Sequence, residues 1–387
     1  MPVVGSGFDV LVIGGGIAGA AAALAAAARG RRVALVRAAP GTTALAAGGW
    51  AGPLPDGMGA ALAGVGLPYE PAGVPLPHPA GRLDGYDRAA PAHRAAVPLG
   101  GAVVCGIVGL PGFPARALAR AWGARSGAEL AAAVLAAGPV PRGGWSPASL
   151  AAWLEREPLA LAGALADAVR RAGASRALLP AVLGIERADE VRAALERAAG
   201  VPVGEALGVP PSAPGWRLDR AIEVALERAG VTVVRGRVVD RVASGRRVRA
   251  VIARPAGGHD GNAVRLEADG FVLATGKYLA GGIRAGDRFE EPALGCPVWV
   301  ERLGTTFERP DPLALTDPDR ADDQPLLRAG VRTDAGARPV DRAGDVVYEN
   351  VRVAGSVRAG VESATLGLGH AADDGWRAGE LAAEAAG

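Results

Sequence analysis

The sequence predicts an α/β chain. Its frame is a mostly parallel sheet with a phosphate-binding turn, and a second, helix-rich α/β segment is inserted into that frame. Three observations predict this. Residues 8–37 read as strand, glycine turn, helix and strand in immediate succession. Two later apolar runs, Phe271–Ala274 and Val351–Ala354, lead straight into the small turns Thr275-Gly276 and Gly355-Ser356. Between them, residues 115–214 carry their own alternation of Ala/Leu-rich helical stretches and short apolar runs.

The first unit is the most informative. Val10–Ile13 is a continuous apolar run, as expected for a strand buried on both faces. Gly14-Gly15-Gly16-Ile17-Ala18-Gly19 then matches G-x-G-x-x-G, and Ala20–Ala28 is rich in the best helix former. Gly30 suits the end of that helix, and Arg32–Val36 is the second strand. In such a unit the first glycine permits the tight turn. The second lets backbone approach a pyrophosphate, and the third lets helix pack on strand. The helix N-terminus offers N–H groups and partial positive charge to an anion. Gly14, Gly16, Ile17, Ala18 and Gly19 are therefore candidate contacts to a dinucleotide or flavin. The apolar run over 10–28 is not expected to be a secretory signal or a membrane span. It is preceded by Asp9 with no basic residue, and three glycines break it.

The second strand ends at Arg37, where this kind of unit usually has an acid that binds the ribose hydroxyls. An arginine there is compatible with a 2′-phosphate, with a solvated side chain, or with no standard adenosine contact. The following loop, GTTALAAGGW over 41–50, is small and glycine-rich enough to pass close to a ligand, and it supplies Thr43, Ala44 and Gly48 as candidates. Residues 51–100 read as loops with short pieces of structure.

The inserted segment follows a strand at Gly101–Leu110. Helices are expected over 114–137, 147–174 and Asp189–Ala199, with a strand at Ala177–Ile185 that turns at Gly184. Pro210-Pro211-Ser212-Ala213-Pro214-Gly215 marks a boundary. Beyond it come an amphipathic helix at Trp216–Ala229, a strand at Val231–Val234 and an antiparallel pair, Arg237–Ser244 with Arg247–Arg254. Val238 in this pair is a further candidate cofactor contact.

The turns Thr275-Gly276 and Gly355-Ser356 should stand at the carboxyl ends of their strands, where ligands bind in open α/β sheets. Gly369 and His370 precede the last helix, expected over His370–Ala385. Its N-terminus is suited to a reduced, anionic ring, and His370 is a candidate acid/base. Surface placement is expected for Lys277 and Tyr278 and for Arg284, Arg288, Glu290 and Glu291. The full expectation is a Rossmann-like FAD/NAD(P)-binding flavoprotein fold with an inserted α/β domain. Residues 1–114, 215–290 and 326–387 form the flavin-binding domain, 115–214 the insertion, and 291–325 a loop-rich cap.

Composition excludes several function classes. The 42 basic residues are nearly matched by 40 acidic ones, so no basic face for nucleic acid is indicated. Cys105 and Cys296 are far apart, too few to hold an iron–sulfur cluster, and compatible with a reducing cytoplasm. His78, His93, His259 and His370 lack metal-ligand spacing, and no metal is expected. The chemistry then belongs to the cofactor, with the protein supplying position and electrostatics.

The chain resembles the B-subunit family of anaerobic glycerol-3-phosphate dehydrogenase. The segments that carry the resemblance are "FDVLVIGGGIAGAAAAL", "TALAAGGW", "VPLGGAVVCGIVGLPGF", "GVPPSAPGWRLDRAIEVALERAGVTVVRGRVV", "FVLATGKYLAGGIRAG" with "EEPALGCPVW", "GVRTDAGARPV" and "ENVRVAGSVRAG". The family's glycine-rich run before the last helix is replaced by "GLGHAADDG". The resemblance implies a flavoprotein component that works with a larger catalytic partner and with a membrane-associated iron–sulfur partner. Such a complex oxidises sn-glycerol 3-phosphate to dihydroxyacetone phosphate and passes electrons toward quinone. It would be cytoplasmic, held at the inner membrane through its partners without inserting itself. The resemblance implies FMN, whereas the glycine turn suits the pyrophosphate of FAD, and both stay open. Rival readings are a stand-alone flavin oxidoreductase on another small substrate and a flavoprotein-like structural subunit.

Overall fold

The computed structural model describes residues 7–255, 263–286, 288–300, 315–317, 319 and 324–387. Most of the expected cap lies outside these residues, as does His259. The described chain forms two compact units: Met1–Thr42 with Gly52–Ala61 and Glu223–Gly387, and Thr43–Ala51 with Leu62–Ile222.

The first unit is built on one sheet. Strands β1 (Phe8–Ile13) and β2 (Val33–Arg37) flank helix α1 (Ile17–Ala28) in sequence and lie side by side in parallel, Leu11 opposite Ala34. β1 is fully buried from Val10 onward and β2 throughout, which is why both read as unbroken apolar runs. The remaining strands come from far along the chain, and their labels follow the elements of the second unit. β7 (Thr232–Ser244) joins β2 in parallel over Thr232–Arg235. It then leaves to pair antiparallel with β8 (Arg247–Pro255), which pairs antiparallel with β9 (Val264–Leu273). The last residues of β9 lie parallel to β1, and β10 (Val351–Val353) closes the row beside β9. The core between includes Leu11, Ile13, Val36, Phe271, Leu273, Val351 and Val353. The expected strands 231–234 and 237–244 are one continuous strand, because β7 changes partner without ending.

Helix α1 packs against the last helix, α7 (Ser363–Ala385), backbone to backbone. A Cβ on Gly375 would strike the Ala18 carbonyl oxygen, and one on Gly379 the Ala22 carbonyl oxygen. Small residues four apart on both helices permit this approach. Ala20 to Ala23 are wholly buried as a result.

The second unit has its own parallel sheet, in the order β6 (Val203–Glu205), β5 (Arg176–Leu179), β3 (Ala102–Ile107), β4 (Ala131–Leu135). The helices are α2 (Ala115–Ser126), α3 (Pro147–Arg156), α4 (Ala162–Ala172), α5 (Ala188–Ala199) and α6 (Ala213–Arg228), the last of which carries the chain back into the first unit. One expected helix is corrected. Residues 114–137 do not form a single helix: α2 stops at Gly127, whose φ of 71° ends it in a left-handed cap, and Ala131–Leu135 becomes strand β4. Alanine's helix propensity is worth only tenths of a kcal/mol per residue, and pairing with β3 overrides it. The helical stretch 147–174 is likewise two helices, broken around Pro158. Arg217 and Glu205 form an ion pair at 3.0 Å in this unit's interior, and Arg217 also donates to the Gly184 carbonyl. Strand β3 belongs to this sheet, so the unit reaches further toward the N-terminus than the 115–214 span.

The α1–α7 contact is testable by adding single methyl groups. Gly379→Ala should lower stability by about 1–3 kcal/mol in a denaturant melt, the usual cost of overpacking. Gly163→Ala, at an exposed helix position with open space around it, should be neutral or stabilising by up to about 1 kcal/mol.

Candidate functional site

Three turns end at one edge of the first unit's sheet because the strands before them are in register. The Gly14 N–H donates to the Val36 carbonyl (2.9 Å), Ala274 N–H to Ile13 (2.8 Å) and Ala354 N–H to Leu273 (2.9 Å). The hydrogen-bond ladder therefore continues one residue past β1, β9 and β10 and releases the chain into Gly14–Gly19, Thr275-Gly276 and Gly355-Ser356 at the same level. Gly14 has φ of 110°, and its missing side chain leaves room for the Ala274–Thr275 backbone, with Thr275 Cα 2.9 Å from the place a Cβ would take. A Cβ on Gly19 would strike the Gly14 carbonyl, so the turn folds tightly back on the first turn of α1.

Helix α1 begins at Gly16, which is extended, and no N-cap side chain bonds the helix donors. The first intrahelical bond is Ala20 N–H to Gly16 O at 2.9 Å. Gly41, just past β2, lies over this point, with 3.3 Å between its would-be Cβ and Gly16 Cα. On the other side Gly355, with φ of 74°, meets Ala18 at 2.7 Å in the same sense. Asp374 on α7 holds that turn by accepting the Gly355 N–H at 2.6 Å while pairing with Arg358. The hydroxyl of Thr275 is buried among these turns without a hydrogen-bond partner. A helix N-terminus that starts at a glycine, backbone laid open by glycines and a spare buried hydroxyl fit the pyrophosphate of a dinucleotide cofactor.

The structure brings Gly14, Gly16, Ile17, Ala18, Gly19, Thr275, Gly276, Gly355 and Ser356 together. Ser356 Oγ lies 3.9 Å from where a Gly276 Cβ would stand. Arg37 is at the end of β2 with its side chain 1% exposed, folded along the turn, so it is not the solvated residue that was one expectation. Val238 is buried in the sheet core just after β7 has left β2. Thr43, Ala44 and Gly48 belong to the second unit, where Gly215 lies against the Ala44 carbonyl; Thr43 and Ala44 are buried there. Gly369 is buried and His370 exposed, just after a break in α7 at Gly367 (φ 69°, ψ 168°). His370 lies against Gly52, with 3.0 Å between its Cδ2 and a would-be Cβ there.

Two surface expectations are corrected. Lys277 is buried and donates its ammonium protons to the carbonyls of Leu327 and Val361, while the Tyr278 hydroxyl donates to Leu326 at 2.7 Å. Together they clamp the 325–328 segment and the approach to α7 against the Thr-Gly turn. Glu291 is 2% exposed and accepts the N–H groups of Ala293, Leu294 and Cys296 at 2.8–3.2 Å. Burial raises its pKa above the ordinary carboxylate value, and the three N–H groups oppose the rise. Neither role was visible from composition, because a charge in a polar stretch reads as solvated. Lys277 directly follows the Thr275-Gly276 turn and Glu291 directly precedes Pro292, and these neighbours were the usable signal.

Both corrections can be measured. Glu291→Ala leaves three buried donors unpaired and should cost about 2–4 kcal/mol of stability, with Glu291→Gln recovering part of it. Burial pushes the Lys277 pKa down from 10.5 to about 8, with Arg328 adding to the fall and Glu362 opposing it. Between these values the unfolded chain holds a proton that the folded chain has released. Stability from this group therefore rises with pH across that window, by at most about 1.4 kcal/mol per unit. Lys277→Met should flatten this part of the stability profile; an identical slope in both proteins would contradict the burial.

The FAD binding domain family matches residues 9–63 and 119–370. The chain is 38% identical over 231 residues to the B subunit of a probable anaerobic glycerol-3-phosphate dehydrogenase from Halobacterium salinarum, covering 59% of this chain and 51% of that protein. It is 30% identical over 217 residues to the B subunit of the anaerobic glycerol-3-phosphate dehydrogenase of Yersinia pestis, covering 53% and 46%. The chain thus spans about half the length of the curated relatives it matches. A 3-ketosteroid delta1-dehydrogenase structure from Sterolibacterium denitrificans aligns over 97% of this chain and 98% of that one, at 13% identity and a TM-score of 0.41. With the glycine turns and the parallel sheet already in place, the family match over most of this chain means that the chain belongs to the FAD binding domain family.

Proposed function

We propose that the chain is the flavin-carrying component of a complex that oxidises sn-glycerol 3-phosphate to dihydroxyacetone phosphate and passes the electrons toward quinone. The observation that carries this reading is the likeness to B-subunit proteins of anaerobic glycerol-3-phosphate dehydrogenase. The cofactor in this reading is FAD. The family match and the dinucleotide-type turn both support it, and nothing in them supports FMN.

The turn Gly14–Gly19 and the α1 N-terminus hold the cofactor's pyrophosphate, and Thr275, Gly276, Gly355 and Ser356 line its path across the sheet edge. Val238 and Gly369 are proposed as further contacts. Oxidation of the substrate's secondary alcohol to a ketone releases two electrons and two protons, and the flavin supplies the electron acceptor. His370 is the candidate for the hydroxyl proton. The proposed partners are a larger catalytic protein and a membrane-associated iron–sulfur protein of the same complex, with attachment to the membrane through the latter. Among the described residues no helix is long and apolar enough to cross a membrane.

The test is to purify the chain, release its chromophore by denaturation and identify it by absorbance and mass. Glycerol-3-phosphate-dependent dye reduction is then assayed with and without the partner proteins. FAD in the wild type, its loss in Gly14→Val, and activity only in the assembled complex are expected. Activity of the chain alone on a different alcohol would replace this reading with the stand-alone oxidoreductase, and a colourless chain that takes up no flavin would leave a purely structural role.

A further inference from the structure

The phosphate turn is complete, but β2 ends in Arg37 where a ribose-binding acid is usual. Building on the flavin reading above, we infer that Glu223, held by Arg37, supplies the missing carboxylate and receives the ribose hydroxyls of the cofactor's adenosine half. Ribose hydroxyls that donate need an acceptor, and a guanidinium has five donors and no acceptor. Arg37 therefore cannot replace the acid as an acceptor of those protons.

The structure shows what it does instead. Its side chain is packed along the glycine turn: a Cβ on Gly15 would lie 2.5 Å from Arg37 Cβ and 3.0 Å from its Nε. From there Nη1 donates to Glu223 Oε1 at 3.2 Å. Arg235, the register partner of Arg37 across the β2–β7 pair, donates to the same oxygen at 2.9 Å. Glu223 sits on α6 and its side chain is 18% exposed, against 1% for Arg37 and 67% for Arg235. A carboxylate is thus delivered to the carboxyl end of β2 by the neighbouring helix, and two cations from adjacent strands fix it. The acid has moved from strand to helix, and the arginine in its old place has become its positioning residue.

The test is a fluorescence titration of flavin-free full-length protein with FAD, FMN and an FAD analogue that has 2′-deoxyadenosine. The wild type should bind FAD, and Glu223→Gln should bind it about 10- to 100-fold more weakly, the range of a charge-assisted hydrogen bond. FMN affinity should not change, since FMN has no adenosine. The deoxy analogue should bind the wild type several-fold more weakly than FAD, and this difference should vanish in Glu223→Gln. That coupling does not depend on how stable the variant is. Arg37→Gln should weaken FAD in the same direction. Unchanged FAD affinity in Glu223→Gln, or an equal loss for FAD and FMN, would overturn the inference and leave the flavin reading standing. A wild type that takes only FMN would overturn the inference and the choice of FAD, leaving a flavin carrier. A wild type that binds no flavin would overturn both.

Discussion

Backbone meets backbone where β1 ends: the Gly14 position is filled by the chain at Ala274 and Thr275. The rest of the first unit depends on this contact. It brings the turn after β9 against the turn after β1, and the same ladder brings the turn after β10 level with both. Any side chain at Gly14 would have to displace peptide groups already bonded into the sheet. The glycine therefore answers to strand packing as much as to any ligand, because the turns suited to a cofactor lie at the sheet edge.

The same economy governs the helices. α1 covers the sheet, and α7 covers α1 through Gly375 and Gly379. With backbone set against backbone at Gly375 and Gly379, the two helix axes have little freedom to slide. Asp374 uses that fixed position to hold the Gly355 turn. The site is thus positioned by main chain at almost every point, which suits a cofactor that performs the chemistry itself. The buried charged residues Lys277 and Glu291 likewise bond to backbone carbonyls and N–H groups.

Much of this was legible in the sequence, for identifiable reasons. β1, α1, β2 and the late strands read correctly because strands buried on both faces leave unbroken apolar runs, and glycine turns leave glycines. The helix over 114–137 did not read correctly. In a chain this rich in alanine, composition hides the difference between helix and strand, and the parallel partner of Ala131–Leu135 lies outside any local window. Glu223 was hidden for a related reason. Local spacing says where an acid should stand on β2, and gives no sign that a helix far later in the chain will deliver one to the same place. Lys277 and Glu291 were misplaced because burial of a lone charge depends on tertiary acceptors and donors that sequence does not display.

The sheet order has a consequence for synthesis. β1 lies between β2, which follows it directly after one helix, and β9, which leaves the ribosome only after the whole second unit. The second unit is emitted whole in that interval and has partners within itself for each strand of its parallel sheet. It can fold while the glycine turn still waits for its neighbours, and distant pairings of this kind form late and slowly. Until Val351–Val353 and the last helix arrive, the nascent chain presents an apolar sheet without its full cover. The exposed interval is where a folding assistant would have most to protect.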